Sequence, residues 1–213
     1  MKRKESAILF LNGEMDYKRE FYKKFFYENK DDIFCADGGL RYIKKLGLQP
    51  KELWGDLDSI SQEELEWAIG QKIEIKKFSR EKDETDGELL IKYLKEKGYE
   101  KIKIFSGLGG RTDHFLTNLN LGFKYDGLEF YGDEEQIIVL KESTKIEKIK
   151  NKTISFIPFS DEVVNLTLKG VKYPLKSYTL ERGSSLCMSN IAVDDEVKVE
   201  FENGKLLCAI NYE

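Results

Sequence analysis

Up to about Tyr131 the apolar residues of this chain switch repeatedly between two spacings, and beyond it they keep only one. That change of period limits the fold more than any single motif. In the first stretch, short apolar runs at 6–11, 33–36, 52–55, 73–76 and 101–105 read as strands, and helical spacing fills the gaps between them. A helix over 17–29 carries Phe21, Phe25 and Phe26 as core residues, and a short one over 40–46 stops at Gly47. Ser61-Gln62-Glu63-Glu64 is a capping box opening a helix to about Gly70. Thr85-Asp86-Gly87-Glu88 reads as a second box, starting a helix with Leu89, Leu90, Tyr93 and Leu94 on one face. A last helix, 113–122, is expected to bury Phe115, Leu116 and Leu119. Strands alternating with helices imply a mostly parallel sheet covered on both faces.

After Tyr131 come short segments rich in β-branched residues, at 136–140, 144–149, 153–157, 163–168, 197–201 and 206–210, with no amphipathic helix among them. Asn203-Gly204 reads as the tip of a hairpin over 201–206. The expected fold is therefore α/β followed by all-β. An N-terminal α/β/α sheet domain occupies 1–132 and a C-terminal β-sandwich 133–213, with the boundary between Tyr125 and Glu142.

Composition removes several function classes. The 35 basic and 39 acidic residues give a formal charge of -4, so no chain-wide attraction to nucleic acid or anionic membrane is expected. The apolar run after the basic start is too short for a signal peptide, and no run approaches the ~18 residues that span a bilayer. Cys35, Cys187 and Cys208 lack metal-ligand spacing and read as small buried hydrophobes in a reducing compartment, the cytoplasm.

In parallel sheets ligands bind beyond the carboxyl ends of the strands. Asp37, Asp56, the Asp83 to Asp86 stretch and the Gly107 to Asp113 loop all fall there, so one cleft can collect them. Asp56 and Asp58, two apart on an extended segment, would project from one side and offer the hard oxygen ligands that suit Mg²⁺. Taken alone, Asp-x-Asp equally describes a solvated acidic turn, and Asp83 and Asp86 equally describe charges placed for a helix dipole. Gly107-Leu108-Gly109-Gly110-Arg111 offers unobstructed N–H groups before a helix N-terminus, with a guanidinium that can bond two phosphate oxygens, or it is an ordinary glycine turn. It lacks the endings of a P-loop and of a dinucleotide fingerprint. Lys82 either balances the carboxylates or sits on the surface. His114, the one histidine, excludes a multi-histidine metal site and serves either as a nucleotide contact or as a structural hydrogen-bonding group.

Four motifs, Ala36-Asp37-Gly38-Gly39, Gly55-Asp56-Leu57-Asp58-Ser59, Lys82-Asp83-Glu84-Thr85-Asp86 and Gly109-Gly110-Arg111-Thr112-Asp113-His114, follow one another in an order and spacing that resembles the thiamin pyrophosphokinases. The resemblance implies transfer of diphosphate from ATP to the hydroxyethyl oxygen of thiamin, Mg²⁺ as cofactor, and a homodimer with active sites at the subunit interface. It implies catalytic roles for Asp56, Asp58, Asp83 and Asp86, with Asp56, Asp58 and Asp86 as metal ligands. It assigns ATP contacts to Asp37, Gly38, Gly39, Lys82, Gly109, Gly110, Arg111, Asp113, His114 and Asn118, and thiamin contacts to Ser189 and Asn190. A diphosphokinase of another hydroxymethyl heterocycle such as a pterin would share the ATP half. A metal-dependent glycosyltransferase would leave Asp83 to Asp86 and the glycine loop without a purpose, and a non-catalytic nucleotide or thiamin sensor would not need the carboxylates.

Overall fold

Ala7 to Leu11 are at most 5% exposed, and burial on both faces marks the centre of a parallel sheet. They belong to β1 (Lys4–Phe10) and the residue that follows it. The structure, a computed structural model, describes residues 4–79 and 83–212, and the chain divides into two compact units, Met1–Asp133 and Glu134–Glu213.

In the first unit, α1 (Glu20–Glu28), β2 (Asp32–Ala36), a 3-10 turn at Asp37–Gly39, α2 (Leu40–Lys45), β3 (Glu52–Gly55), α3 (Gln62–Gly70), β4 (Glu74–Lys77), α4 (Asp86–Glu96), β5 (Tyr99–Phe105), α5 (Thr112–Lys124) and β6 (Leu128–Tyr131) follow β1. Parallel pairing gives the order β6-β5-β1-β2-β3-β4. The chain runs outward through β2, β3 and β4, then returns to the other side of β1 with β5 and β6. The topological switch therefore falls at β1.

The expected helices form, with three corrections. Because α1 starts at Glu20, its sheet-facing positions one turn apart are Tyr22 and Phe26, at 0% and 8% exposure, while Phe21 and Phe25 are only half-buried. Phe26 and Phe105 lie 4.9 Å apart at their ring centroids and Phe10 and Phe26 5.4 Å apart, and each such buried side chain contributes roughly 1.5–3 kcal/mol. The capping box at Ser61 is complete, but the one at Thr85 is half-formed. Thr85 Oγ1 accepts from the Glu88 N–H, whereas the Glu88 carboxylate takes Lys124 Nζ at 2.6 Å and the Tyr125 hydroxyl at 3.3 Å, tying α4 to the end of α5. On α5, Leu119 is buried but Leu116 is 48% exposed, since it lies a quarter-turn off the face that carries Leu119 and Gly122 inward.

The second unit contains β7 (Glu135–Leu140), β8 (Thr144–Glu147), β9 (Thr153–Pro158), β10 (Glu162–Lys169), β11 (Leu175–Glu181), β12 (Asn190–Ile191), β13 (Glu196–Glu200) and β14 (Leu206–Asn211). Antiparallel pairing sets β12-β9-β14-β7 side by side, and a four-stranded sheet runs β11-β10-β13-β8. Leu140, Phe156, Leu206 and Cys208 from the first sheet share one core with Ile146, Leu166, Leu180 and Val199 from the second, so the unit is a sandwich. The expected hairpin over 201–206 is not one. β13 pairs with β8 and β10, and β14 with β7 and β9. Asn203-Gly204 therefore turns a corner between sheets. Its backbone bridges to Val164 instead of closing a two-strand ladder.

Candidate active site

Residues 11–13 leave β1 at the switch, where the strands on either side diverge and open a crevice. The hydroxyl of Ser106, at the end of β5, donates to the Leu11 carbonyl at 2.6 Å, and the Gly13 N–H donates to the Ser106 carbonyl at 2.7 Å. A Cβ at Gly13 would overlap the Ser106 carbonyl and lie 2.6 Å from that of Gly109, so only glycine lets the two strand ends run this close. The result is a cavity of about 610 Å³ lined by Leu11, Asn12, Gly13, Ala36, Asp37, Asp56, Asp58, Ser59, Thr85, Asp86, Gly87, Gly109, Arg111, His114 and Asn118.

One wall is acidic. Ligand oxygens of Asp37, Asp56 and Asp58 lie within 4.8 Å of one another. Asp56 and Asp58 do not come together on an extended segment, as their spacing suggested. Leu57 between them has φ 69°, and the Asp58 N–H donates to Asp56 Oδ1 at 3.0 Å, so an Asx turn folds the pair inward. A left-handed leucine costs about 1–2 kcal/mol, and such conformations collect at functional sites. Asp37 follows β2 with φ 47° and is 7% exposed. Burial pushes its carboxyl above the usual range, and the charges of Asp86 and Asp56 add to this against hydrogen bonds from the Ser59 side chain and the Gly38 backbone. Its Oδ1 is buried with no hydrogen-bond partner. A buried lone pair without a donor, among like charges, is what a hard divalent cation would satisfy. Asp86, in the first turn of α4, faces the same cavity.

The facing wall comes from the loop after β5 and from α5. Asn118 Nδ2 donates to the Gly107 carbonyl at 2.8 Å and fixes the loop to the helix. The Arg111 guanidinium grips Asp113 with two bonds, of 2.6 and 3.1 Å, and these hold the Asp113 carboxyl down at about 2. Arg111 and His114 reach the cavity while Asp113 stays outside it. The loop and the start of α5 thus present a glycine backbone, a guanidinium and a helix N-terminus to one space.

Other expected site residues lie elsewhere. Asp83 is exposed and, like Gly38, Gly39 and Gly110, does not line the cavity. Gly38 and Gly39 press against Asn12 and the end of β1, where a Cβ on Gly39 would come within 2.7 Å of the Leu11 carbonyl. Lys82 lies outside the described residues. In the second unit Ser189 is exposed, with φ 52°. Asn190 is 3% exposed, and its amide accepts from the Tyr173 and Ile191 N–H groups and donates to the Tyr173 carbonyl. Leu11, Asn12 and Gly13 were missed in the sequence. Their signal was present, because they end a central apolar strand that was itself legible.

A parallel sheet whose switch-point cavity sets carboxylates against a glycine loop and a helix N-terminus defines a class, the α/β proteins that take phosphorylated ligands at their strand ends. Here a β-sandwich unit follows it. The profile of the thiamin pyrophosphokinase catalytic domain matches residues 23–131, and that of the thiamin pyrophosphokinase vitamin B1 binding domain matches 136–206. Thiamine pyrophosphokinase of Bacillus subtilis (strain 168) is 36% identical over 178 residues, covering 81% of this chain and 83% of that one. Among solved structures, a Bacillus subtilis thiamine pyrophosphokinase superimposes with a TM-score of 0.86 at 28% identity, over 97% of this chain and 99% of that one. The Geobacillus thermodenitrificans thiamin pyrophosphokinase gives 0.85 at 25% identity, over 98% of each. The chain belongs to the thiamin pyrophosphokinase family.

Proposed function

We propose that the protein transfers the terminal diphosphoryl group of ATP to thiamin in an Mg²⁺-dependent reaction. The hydroxyethyl oxygen attacks the β-phosphorus, the bond from that phosphorus to the oxygen of the α-phosphate breaks, AMP leaves, and the hydroxyl proton is released. The observation that carries this reading is the buried, partnerless Asp37 Oδ1 within the Asp37-Asp56-Asp58 cluster, in the same cavity as Gly109 and Arg111.

Catalysis of this kind is chiefly alignment and neutralisation of charge on phosphate oxygens. Asp56, Asp58 and Asp86, with Asp37 beneath them, would hold Mg²⁺, which when bound neutralises the phosphate chain. Arg111 and the loop N–H groups take the opposite side of that chain, and His114 and Asn118 the nucleotide. For Arg111 to do so, its grip on Asp113 must loosen. Asp83 would act on the cluster from outside the cavity, and Lys82 would contact the phosphate chain. Gly38 and Gly39 act by letting the Asp37 turn lie against β1. An aspartate of the cluster accepts the proton. In the second unit Ser189 offers its hydroxyl to thiamin, and Asn190, whose oxygen and one N–H are taken by backbone groups, keeps its second amide N–H for the same ligand.

The protein acts in the cytoplasm as a homodimer with its sites at the subunit interface. Among the described residues all three thiols are free and buried, and no helix is long and apolar enough to cross a membrane. Tyr173, Tyr178, Leu186 and Met188 are 44–59% exposed on the second unit, a surface that a second copy would cover. The test is incubation with ATP, Mg²⁺ and thiamin and identification of products by mass spectrometry. Thiamin diphosphate and AMP in equal amounts are expected. Unchanged thiamin refutes the reading, and AMP formed only when a pterin is supplied transfers it to that acceptor. Asp58→Asn, at an exposed position, is expected to abolish turnover and leave the fold intact. Full activity in that variant would remove the metal role.

A further inference from the structure

Asn12 lines the cavity at the switch point, and its orientation is set from outside the cavity. Arg41, on α2, donates through Nη2 to Asn12 Oδ1 at 2.6 Å and through Nε to the Gly38 carbonyl at 2.7 Å. A guanidinium has no acceptor, so the prong of the amide that meets it must be the oxygen. The N–H₂ prong then points away from Arg41. Gly38 is a condition of this arrangement, because a Cβ there would overlap both Asn12 Oδ1 and Arg41 Nη2. One side chain thus joins the end of β1 to the turn after β2 that carries Asp37.

We infer that Arg41 is a positioning residue that locks Asn12 so that its side-chain N–H is presented to an oxygen of the nucleotide's phosphate chain. The inference rests on the ATP reading above. Asn12 lies between the two features that would organise that chain. Its neighbour Gly13 is packed on the glycine loop at Gly109, and Gly38, against which its oxygen rests, adjoins Asp37 of the carboxylate cluster. An exposed asparagine left to itself samples several rotamers and both amide flips, and binding would have to freeze them. Holding the oxygen beforehand removes that cost and leaves only the donor for the ligand.

A double-mutant cycle tests this on the full chain. Affinity for a non-hydrolysable ATP analogue with Mg²⁺ is measured by calorimetry for wild type, Asn12→Ala, Arg41→Met and the double variant, together with KM for ATP and for thiamin. Loss of one hydrogen bond to a charged phosphate is expected to weaken the analogue about 10-fold in Asn12→Ala. Arg41→Met should weaken it about 5-fold, with the double variant no weaker than Asn12→Ala. KM for thiamin should stay within twofold, and Arg41→Lys, which can still donate to Oδ1, should recover part of the loss. Additive losses in the double variant, equal changes in both KM values, or an analogue affinity unmoved by either single substitution each overturn the inference while leaving the ATP reading in place. Wild-type protein that turns over thiamin with ATP but shows no effect of Asn12→Ala does the same. Wild-type protein that binds no nucleotide overturns both.

Discussion

Replacing Asp37 by asparagine should make the metal-free protein more stable and the magnesium-loaded protein less so. The carboxylate is 7% exposed, has one oxygen without a partner, and shares its site with Asp56 and Asp58 oxygens within 4.8 Å. Two unit charges at that distance repel by about 3.5 kcal/mol at an effective dielectric constant of ~20. Asp58 is exposed and water weakens its share, so relief of about 2 kcal/mol is the expected gain when one charge is removed. Asparagine is nearly isosteric, its amide can donate to a neighbouring carboxylate, and it tolerates the left-handed backbone that Asp37 adopts at φ 47°. At roughly 2–4 °C per kcal/mol for a chain of this size, Asp37→Asn should melt about 4–8 °C above wild type in EDTA at pH 8. Magnesium at 100 times its dissociation constant stabilises a native site by about 2.7 kcal/mol, and this increment should appear in wild type and largely vanish in the variant. Calorimetric melts with and without Mg²⁺ measure both effects. A variant that melts at or below wild type in EDTA would show that the cluster stores no repulsion, and one that gains as much from Mg²⁺ as wild type does would show that Asp37 takes no part in binding the cation.

Other positions give narrower tests. The Asp113 carboxyl, held down to about 2 by Arg111, lies below its unfolded value of about 3.9; whatever it adds to stability is present above that value and lost only as pH falls through about 2, and a carboxyl NMR titration of wild type against Arg111→Gln should show the shift disappear in the variant. Thr85→Ala removes the one side-chain cap of α4 and should cost about 1 kcal/mol in denaturant melts. Gly204 has φ 117° and a Cβ there would lie 2.6 Å from the Glu162 carbonyl. Gly204→Ala should therefore destabilise the sandwich by about 2 kcal/mol or more, which fluorescence-monitored unfolding would register.

What could be read without coordinates was whatever apolar period and caps encode locally. β1, β2 and β3 announced themselves through unbroken apolar runs in their buried stretches, β5 through apolar residues alternating with Lys101 and Lys103, and α3 because its capping box is complete. β11 did not. It is an edge strand with only Leu180 buried, so its pattern carries no alternation. The Asn203-Gly204 turn looked like a hairpin because turn chemistry says how a chain reverses and not which strand it will pair with next. The acidic motifs gave the constituents of the cavity wall but not their grouping. Asp37 joins Asp56 and Asp58 through the pairing of β2 with β3 and the left-handed Leu57, neither of which a spacing rule contains. Asn190 reads as a polar ligand group in sequence, and only the structure shows that its oxygen and one of its two N–H groups are held by the backbone of Tyr173 and Ile191.

β14 lies between β7 and β9, which it pairs along most of their length. Synthesis delivers it after β8 to β13, so on the ribosome β7 and β9 emerge long before the strand that joins them. The first unit has its central β1 from the start, and β1 finds β2 soon after, although its other edge waits for β5. The nascent protein should therefore carry a finished α/β unit beside an open, apolar β segment. Chaperone engagement and aggregation during expression should then concentrate on the interval before β14 arrives, and any lesion that slows or removes β14 should harm yield more than its few side chains would suggest.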